Sequence, residues 1–293
     1  MIRLRYDTTI GGVRHGAGSI ISLGSALESA LITEGDAESI DLNMTHPYYH
    51  FHGFAGNQVA GDSNFFDLAA GNHGLRGAHL SDANVFANAG YITTVDPGAG
   101  AADSTIHIPS INFDYAGGEK LIVWWLGAGT PEGASVPVMG DGYSTAAGQH
   151  GWRVRMLPDG RFDLSLWGAA QGSSGSSNTA VFDGTLHSLA FCFDGVARLH
   201  GMWADGVYHA AFGSSYSGFG SGTAFDTTSS NTVNIGSSRP ASAATTDGAA
   251  IKTRALVIIR LPATHVMPSV ATLTEVFKQL RANPGRLLQA AAF

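Results

Sequence analysis

A chain of 293 residues with 16 Lys plus Arg against 23 Asp plus Glu has a formal charge of −7. It has no basic surplus to neutralise phosphates, so nucleic acid is excluded as an expected partner. Charged residues are only 13% of the chain while glycine fills 39 positions, which implies a surface of Gly, Ser, Thr and Asn, the composition of short strands joined by many turns. No apolar run reaches the roughly 18 residues a membrane-spanning helix needs.

From the first residues, Ile2 to Tyr6 alternates at period two, Gly11-Gly12 offers a turn, and Gly18 to Leu23 suits a second strand. No apolar core of a secretory signal opens the chain, so synthesis in a cytoplasm without export by that route is expected. Ser25 followed three residues later by Glu28 has capping-box spacing, and Gly35 stands where a C-cap glycine would end a helix over 26–34. Residues 37–42 then return to a sheet. Residues 1–45 are therefore expected as a small α+β unit for attachment, since so short a segment buries little core. Residues 46–80 carry many glycines and little periodicity. They read as an arm, and Tyr48, Tyr49, Phe51, Phe54, Phe65 and Phe66 are its candidate assembly contacts.

Residues 81–265 read almost wholly as β. Segments 105–109, 120–126, 151–157, 161–167, 186–193, 197–203, 232–236 and 253–260 are of strand length and mostly alternate. Asp-Gly recurs at 183–184, 194–195 and 205–206, with Pro158-Asp-Gly160 upstream. Turns with positive φ accept Gly, Asn and Asp, so this spacing predicts a meander, and eight or more such strands must pack as two sheets. In residues 268–293, Val270, Leu273, Val276, Phe277 and Leu280 form one helical stripe, stopped by Asn283-Pro284-Gly285.

Two resemblances follow from these residues. Asp183-Gly184 with His187, then Asp194-Gly195, then Trp203 with Asp205-Gly206, resembles the concanavalin A-like jelly roll in its laminin-G-like form. That implies a mainly β sandwich, here with the small N-terminal unit and a short C-terminal helix. The segments 14–23 and 26–38, together with the helix followed by Asn-Pro-x-x-Leu, resemble virion proteins of tailed bacteriophages. That family implies a virion structural protein displayed at the virion surface. The first form is a capsid decoration protein bound to the major capsid protein or other virion proteins, in symmetric copies such as trimers. The alternative is a tail-associated receptor-binding lectin that recognises host glycans.

Catalysis is expected to be absent. Glycosidases need two neighbouring carboxylates, and the resemblance implies a Glu-x-Asp-x-x-Glu strand in hydrolytic members. The chain has only six Glu, and Asp163 stands alone on its strand. Cys192, between Phe191 and Phe193, reads as an inert core thiol, and His187 as a histidine bonding a turn. Of Trp124 and Trp125, neighbours on one strand, one faces the core and the other faces away. His46, His50 and His52 are the residues of a metal-like cluster, but they read as an aromatic packing segment. No cofactor is expected; Ca²⁺ is the one ion left open, with loop oxygens of Asp103, Asp141, Asp226, Asn231 and Asp247 as candidates. Glycans, if bound, are assigned to the Gly/Ser-rich loops 168–178 and 213–222, with Trp167, Gln171, Asn178, Tyr216 and Phe219 as ligand-binding candidates.

Overall fold

The computed structural model describes residues 2–4, 7–10, 13–15, 20–21, 25–39, 48–57, 64–65, 67–69, 71–76, 90–94, 105–109, 111, 113–115, 117–141, 151–167, 172–197, 199–209, 232–237 and 249–285. The N-terminal unit contains β1 (Ile2–Leu4), a hairpin of β2 (Thr8–Ile10) and β3 (Val13–His15), β4 (Ile20–Ile21), α1 (Ser25–Thr33) and β5 (Ala37–Ser39). β4, β1 and β5 form a sheet in that order, and Leu4, Leu31 and Ala37 make its small buried cluster. Gly35 has φ 82°, and the amides of Gly35 and Asp36 bond the carbonyls of Ile32 and Leu31, closing the helix as its glycine predicted.

The main body is a sandwich of antiparallel strands. Its remaining strands are β6 (Tyr49–Phe54), β7 (Asn64–Phe65), β8 (Gly74–Arg76), β9 (Ile92–Thr93), β10 (Ile106–Ile108), β11 (Lys120–Gly129), β12 (Val136–Asp141), β13 (Gly151–Met156), β14 (Arg161–Trp167) and β15 (Gly172–Ala180). They continue with β16 (His187–Asp194), β17 (Leu199–Ala204), β18 (Val207–His209), β19 (Val233–Ile235) and β20 (Ile251–Leu261), and a helix α2 (Val270–Ala282) follows. One sheet runs β18-β17-β16-β11-β20-β6 with β9 also on β20; the other runs β15-β14-β13-β12-β19-β10-β8-β7. The mainly β jelly-roll expectation holds. The Asp-Gly meander is β16-β17-β18, whose last turn has φ 49° at Asp205 and 75° at Gly206, the two positive values of a type I′ hairpin.

The core between the sheets is built from alternate residues of each strand, among them Phe51, Phe65, Trp125, Trp152, Phe162, Phe191 and Phe193. A second apolar layer lies on the other face of the shorter sheet, where Trp124, Ala190, Trp203, Val257 and Ile259 meet Leu273, Val276, Phe277 and Leu280 of α2. Ser269 caps α2 by accepting the Thr272 amide at 3.2 Å, and Trp203 Nε1 donates to Thr274 Oγ1 at 2.9 Å. Trp124 and Trp125 do face opposite ways, but both are buried, because the helix roofs the face that would otherwise meet water.

The arm expectation is corrected. Residues 49–76 supply β6 to one sheet and β7 and β8 to the other, so the sandwich includes this segment. Tyr49, Phe51 and Phe65 are buried within the chain itself and are not contacts held out for a second subunit. Asp67 fixes the crossing: Oδ1 accepts the amides of His52 and Ala69 at 2.8 and 3.0 Å, and Oδ2 accepts that of Asn72 at 2.9 Å. Phe54 is half-buried beneath Arg254, 5.6 Å from its ring centroid, and Tyr48 is half-buried against His265, with ring centroids 4.8 Å apart. Phe66 lies outside the described residues. Glycine-rich text hid these strands because they are short and made by pairing, β7 with β8, β8 with β10, and β6 with β20 far along the chain, where Phe51 lies opposite Ile258.

Candidate functional site

The loop assigned to ligand binding at 168–178 is corrected in its larger part. Residues 172–180 form β15, an edge strand in register with β14 from Trp167↔Gly172 to Arg161↔Ala180. Its Gly/Ser sequence has no strand propensity; the exposed edge of β14 imposes the conformation by offering unpaired N–H and C=O groups. Asn178 is exposed on this strand, and its amide donates to His209 Nδ1 at 3.4 Å. Trp167 ends β14 and its side chain lies outside the described residues, as do Gln171, Tyr216 and Phe219.

What the sheet register assembles instead is a row of polar side chains. Ser165 of β14 pairs with Arg153 of β13, Arg153 with Gly140 of β12, Gly140 with Asn234 of β19, and Asn234 with His107 of β10. The residues flanking each of them, such as Leu164, Val154, Met139, Ile235 and Ile106, are core, so by alternation the row lies on the face turned away from the core. Gly140, itself buried, stands at its centre between Arg153 and Asn234. A second row beside it holds Asp163 opposite Arg155.

The row is held by its own hydrogen bonds. The Arg155 guanidinium grips Asp163 Oδ2 through Nε at 3.0 Å and Nη2 at 2.5 Å, and Ser165 Oγ donates to the same oxygen at 3.2 Å. His107 Nδ1 and Asn234 Oδ1 are 2.6 Å apart, Thr232 donates to Asn234 Oδ1 at 3.1 Å, and Asn234 Nδ2 donates to the Thr232 carbonyl at 3.2 Å. Ser165, Asp163 and Asn234 are buried, whereas Arg153, Arg155 and His107 are half-buried. Fixed donors and acceptors bordering longer side chains form a polar surface organised before any ligand arrives. Sequence reasoning missed it, although the alternation Arg153-Val-Arg155 and Asp163-Leu-Ser165 already displayed half of it.

Asp141 closes β12 near this row. Burial pushes its carboxyl up to about 7, and its Oδ1 has no hydrogen-bond partner. Of the five oxygens proposed for Ca²⁺ only Asp141 is described; the other four candidates lie outside the described residues. Among the described residues no three His, Cys, Asp or Glu come together as metal ligands. His50 and His52 are spent on backbone, donating through Nε2 to the Pro109 and Pro284 carbonyls at 2.7 Å each, and His46 lies outside the described residues. Cys192 is buried, and burial pushes its thiol up to about 12, the inert state expected of a core cysteine.

His187 bonds two of the turn aspartates at once. Nδ1 lies 2.6 Å from Asp205 Oδ2 and Nε2 lies 3.1 Å from Asp183 Oδ1, while Arg281 of α2 reaches Asp205 Oδ1. Burial pulls the His187 pKa down, but the hydrogen bonds to Asp205 and Asp183 outweigh it and the net shift is upward. The Thr185 hydroxyl joins this group, donating to Asp183 Oδ1 at 2.7 Å and lying 3.0 Å from His187 Nε2, and together these bonds clasp the start of β16, the β17–β18 turn and α2.

No family model matches the chain, and no curated protein matches it. Solved structures do share its fold. A Trypanosoma rangeli sialidase in complex with 2,3-difluoro-KDN matches at TM-score 0.50 and 12% identity over 78% of this chain and 32% of that one. A mutant of that sialidase displaying trans-sialidase activity matches at TM-score 0.50 and 10% identity over 86% of this chain and 35% of that one. The CBM40 of a Ruminococcus gnavus IT-sialidase, bound to α2,3 sialyllactose, matches at TM-score 0.43 and 11% identity over 55% of this chain and 84% of that one. The chain thus spans about a third of the sialidases it resembles. The expectation that enzymatic activity is absent is corrected accordingly: this sandwich occurs within chains that are sialidases, so the missing Glu-x-Asp-x-x-Glu strand excludes one hydrolytic pattern and not catalysis as such.

Proposed function

We propose that this chain is a glycan-recognising jelly-roll module of a tailed-phage virion, and that it reads oligosaccharides on the polar outer face of the eight-stranded sheet. The observation that carries the reading is the lateral row Ser165, Arg153, Gly140, Asn234 and His107, five neighbouring strands contributing one position each. Four inter-strand steps span roughly 19 Å, the reach of a short oligosaccharide. Amide, imidazole, hydroxyl and guanidinium groups together supply the mixed donors and acceptors that sugar hydroxyls need. The phage setting is supported by the sequence resemblance at the two ends of the chain.

A glycan array probed with the purified chain tests the reading. Binding is expected to a defined oligosaccharide set, weakened about ten-fold in Arg153→Ala and His107→Ala, the loss of one or two hydrogen bonds each. An array without any bound glycan, or binding indifferent to both substitutions, refutes it.

A second reading, capsid decoration, is favoured by the N-terminal unit, which buries Leu4, Leu31 and Ala37 in a cluster of its own and has the form of an attachment piece. Copy number per virion separates the two settings. Parity with the major capsid protein supports decoration of the head, and a few copies per particle support a receptor-binding role at the tail.

A further inference from the structure

At the end of the seven-stranded sheet, away from the polar row, an open pocket of about 440 Å³ is lined by Tyr48, Tyr49, His50, Glu119, Arg260 and Pro262. Its size falls within the range of about 300–1,000 Å³ typical of small-molecule sites. The sequence reading gave this region no ligand.

The polar wall is an ion pair made rigid by its neighbours. Arg260 Nε donates to Glu119 Oε2 at 2.8 Å and Nη2 to Oε1 at 2.5 Å, while Nη1 donates to the Ile111 carbonyl at 2.9 Å. The Asp114 amide donates to Glu119 Oε2 at 2.7 Å. These bonds use three of the five guanidinium N–H groups and leave lone pairs on the carboxylate. The pair therefore presents donors and acceptors side by side while its charges cancel. Its side chains are 38% exposed at Arg260 and 17% at Glu119, open enough to reach and shielded enough to matter.

The remaining walls add no charge. Burial lowers the His50 pKa, against the bond to the Pro109 carbonyl and the nearby Asp67, so this imidazole is neutral at neutral pH. Tyr48, half-buried and packed on His265, supplies the aromatic face, whereas Tyr49 is buried with its ring stacked on His52. An anion entering here meets Glu119 and a cation meets Arg260, whereas a ring with an apolar face and several hydroxyls satisfies both walls.

We propose that this pocket is a second ligand site, for one neutral hexopyranose unit, with the ring against Tyr48 and its hydroxyls on the Glu119–Arg260 pair. The site shares no residue with the polar row and stands whether or not that row binds glycans. A free sugar and the terminal unit of a longer glycan offer the same chemistry.

Saturation-transfer NMR on the full chain tests it, with methyl α-glucopyranoside and methyl β-galactopyranoside as free neutral units and a neutral polysaccharide ending in the same units as the glycan form. Methyl β-glucuronide is the charged control. A neutral glycoside or chain end is expected to receive saturation, and the glucuronide several-fold less. Glu119→Gln removes the negative partner, so the order is expected to reverse. Tyr48→Ala removes an aromatic wall and is expected to weaken the neutral signal about ten-fold, with circular dichroism showing the fold retained; it decides the matter alone if Glu119→Gln does not fold. Saturation of the methyl glycosides identifies a free-sugar site, and saturation of the polysaccharide alone identifies a glycan terminus. No saturation of any neutral probe, a wild-type preference for the glucuronide, or a neutral signal unchanged in Tyr48→Ala overturns the proposal.

Discussion

The two sheets of this sandwich share one core and have opposite outer faces. On the seven-stranded sheet the outward residues are Trp124, Ala190, Trp203, Val257 and Ile259, and α2 covers them. On the eight-stranded sheet the outward residues include Arg153, Arg155, Asp163, Ser165, Asn234 and His107, with Arg155 and Ser165 bonded to Asp163 and His107 bonded to Asn234. An apolar face is stable only when water is removed from it, so the first sheet required a third layer. On the eight-stranded sheet Ser165, Asp163 and Asn234 are buried with hydrogen-bond partners, and Arg153, Arg155 and His107 are half-buried. The difference is between a face that is roofed by a helix and one whose polar groups are paired with each other.

That division is broken most directly at the helix. Phe277 is 1% exposed and packs edge-on to Trp203, with ring centroids 5.0 Å apart. Phe277→Ala should cost about 3–5 kcal/mol of stability, read by urea denaturation, and should expose the second apolar layer to a hydrophobic dye. A loss under 1 kcal/mol would mean that α2 is an ornament on a face already stable without it.

A smaller effect tests the polar sheet. Asp141 is buried without a partner for Oδ1, and its folded pKa of about 7 lies above the ordinary 3.8. A group raised in the folded state contributes stability below its unfolded pKa and loses it as pH rises through the folded value. Between pH 4 and pH 8 the wild type should therefore lose on the order of 3 kcal/mol that Asp141→Asn keeps. The substituted protein should gain on the wild type with rising pH; parallel stability curves for the two proteins would refute the buried unpaired carboxyl.

Thr274→Val removes the acceptor of Trp203 Nε1 at the helix–sheet seam. About 1 kcal/mol should be lost in thermal unfolding, since the indole N–H is then left unpaired. Thr274→Ser, which keeps the hydroxyl, should restore most of it.

The smallest effect lies in the clasp that ties α2 to the β17–β18 turn. His187 has a raised pKa, so its charged form stabilises the fold below the unfolded value and the benefit fades as pH climbs through the folded one. His187→Gln should be less stable than the wild type at pH 5 and nearly equal to it at pH 8. An unchanged difference across that range would show that the clasp carries no charge.

Much of this architecture was legible in the chain. The alternation in 151–157 and 161–167, the Asp-Gly turns and the stripe through Leu273, Val276, Phe277 and Leu280 each fix a local geometry through a period or a φ requirement, and each became the predicted element. Residues 49–76 and 172–180 were read wrongly because nothing local dictates their conformation: β6 is a strand by pairing with β20, and β15 by pairing with β14. The polar row is a product of register. Arg153, Gly140, Asn234 and His107 are far apart in sequence and meet only because each strand's partner sets which residue lies opposite, and sequence periodicity carries no record of that choice. Local chemistry determined the alternating strands, the Asp-Gly turns and the closing helix; tertiary pairing decided that β6 and β15 are strands, which face became core, which was roofed and which was left polar.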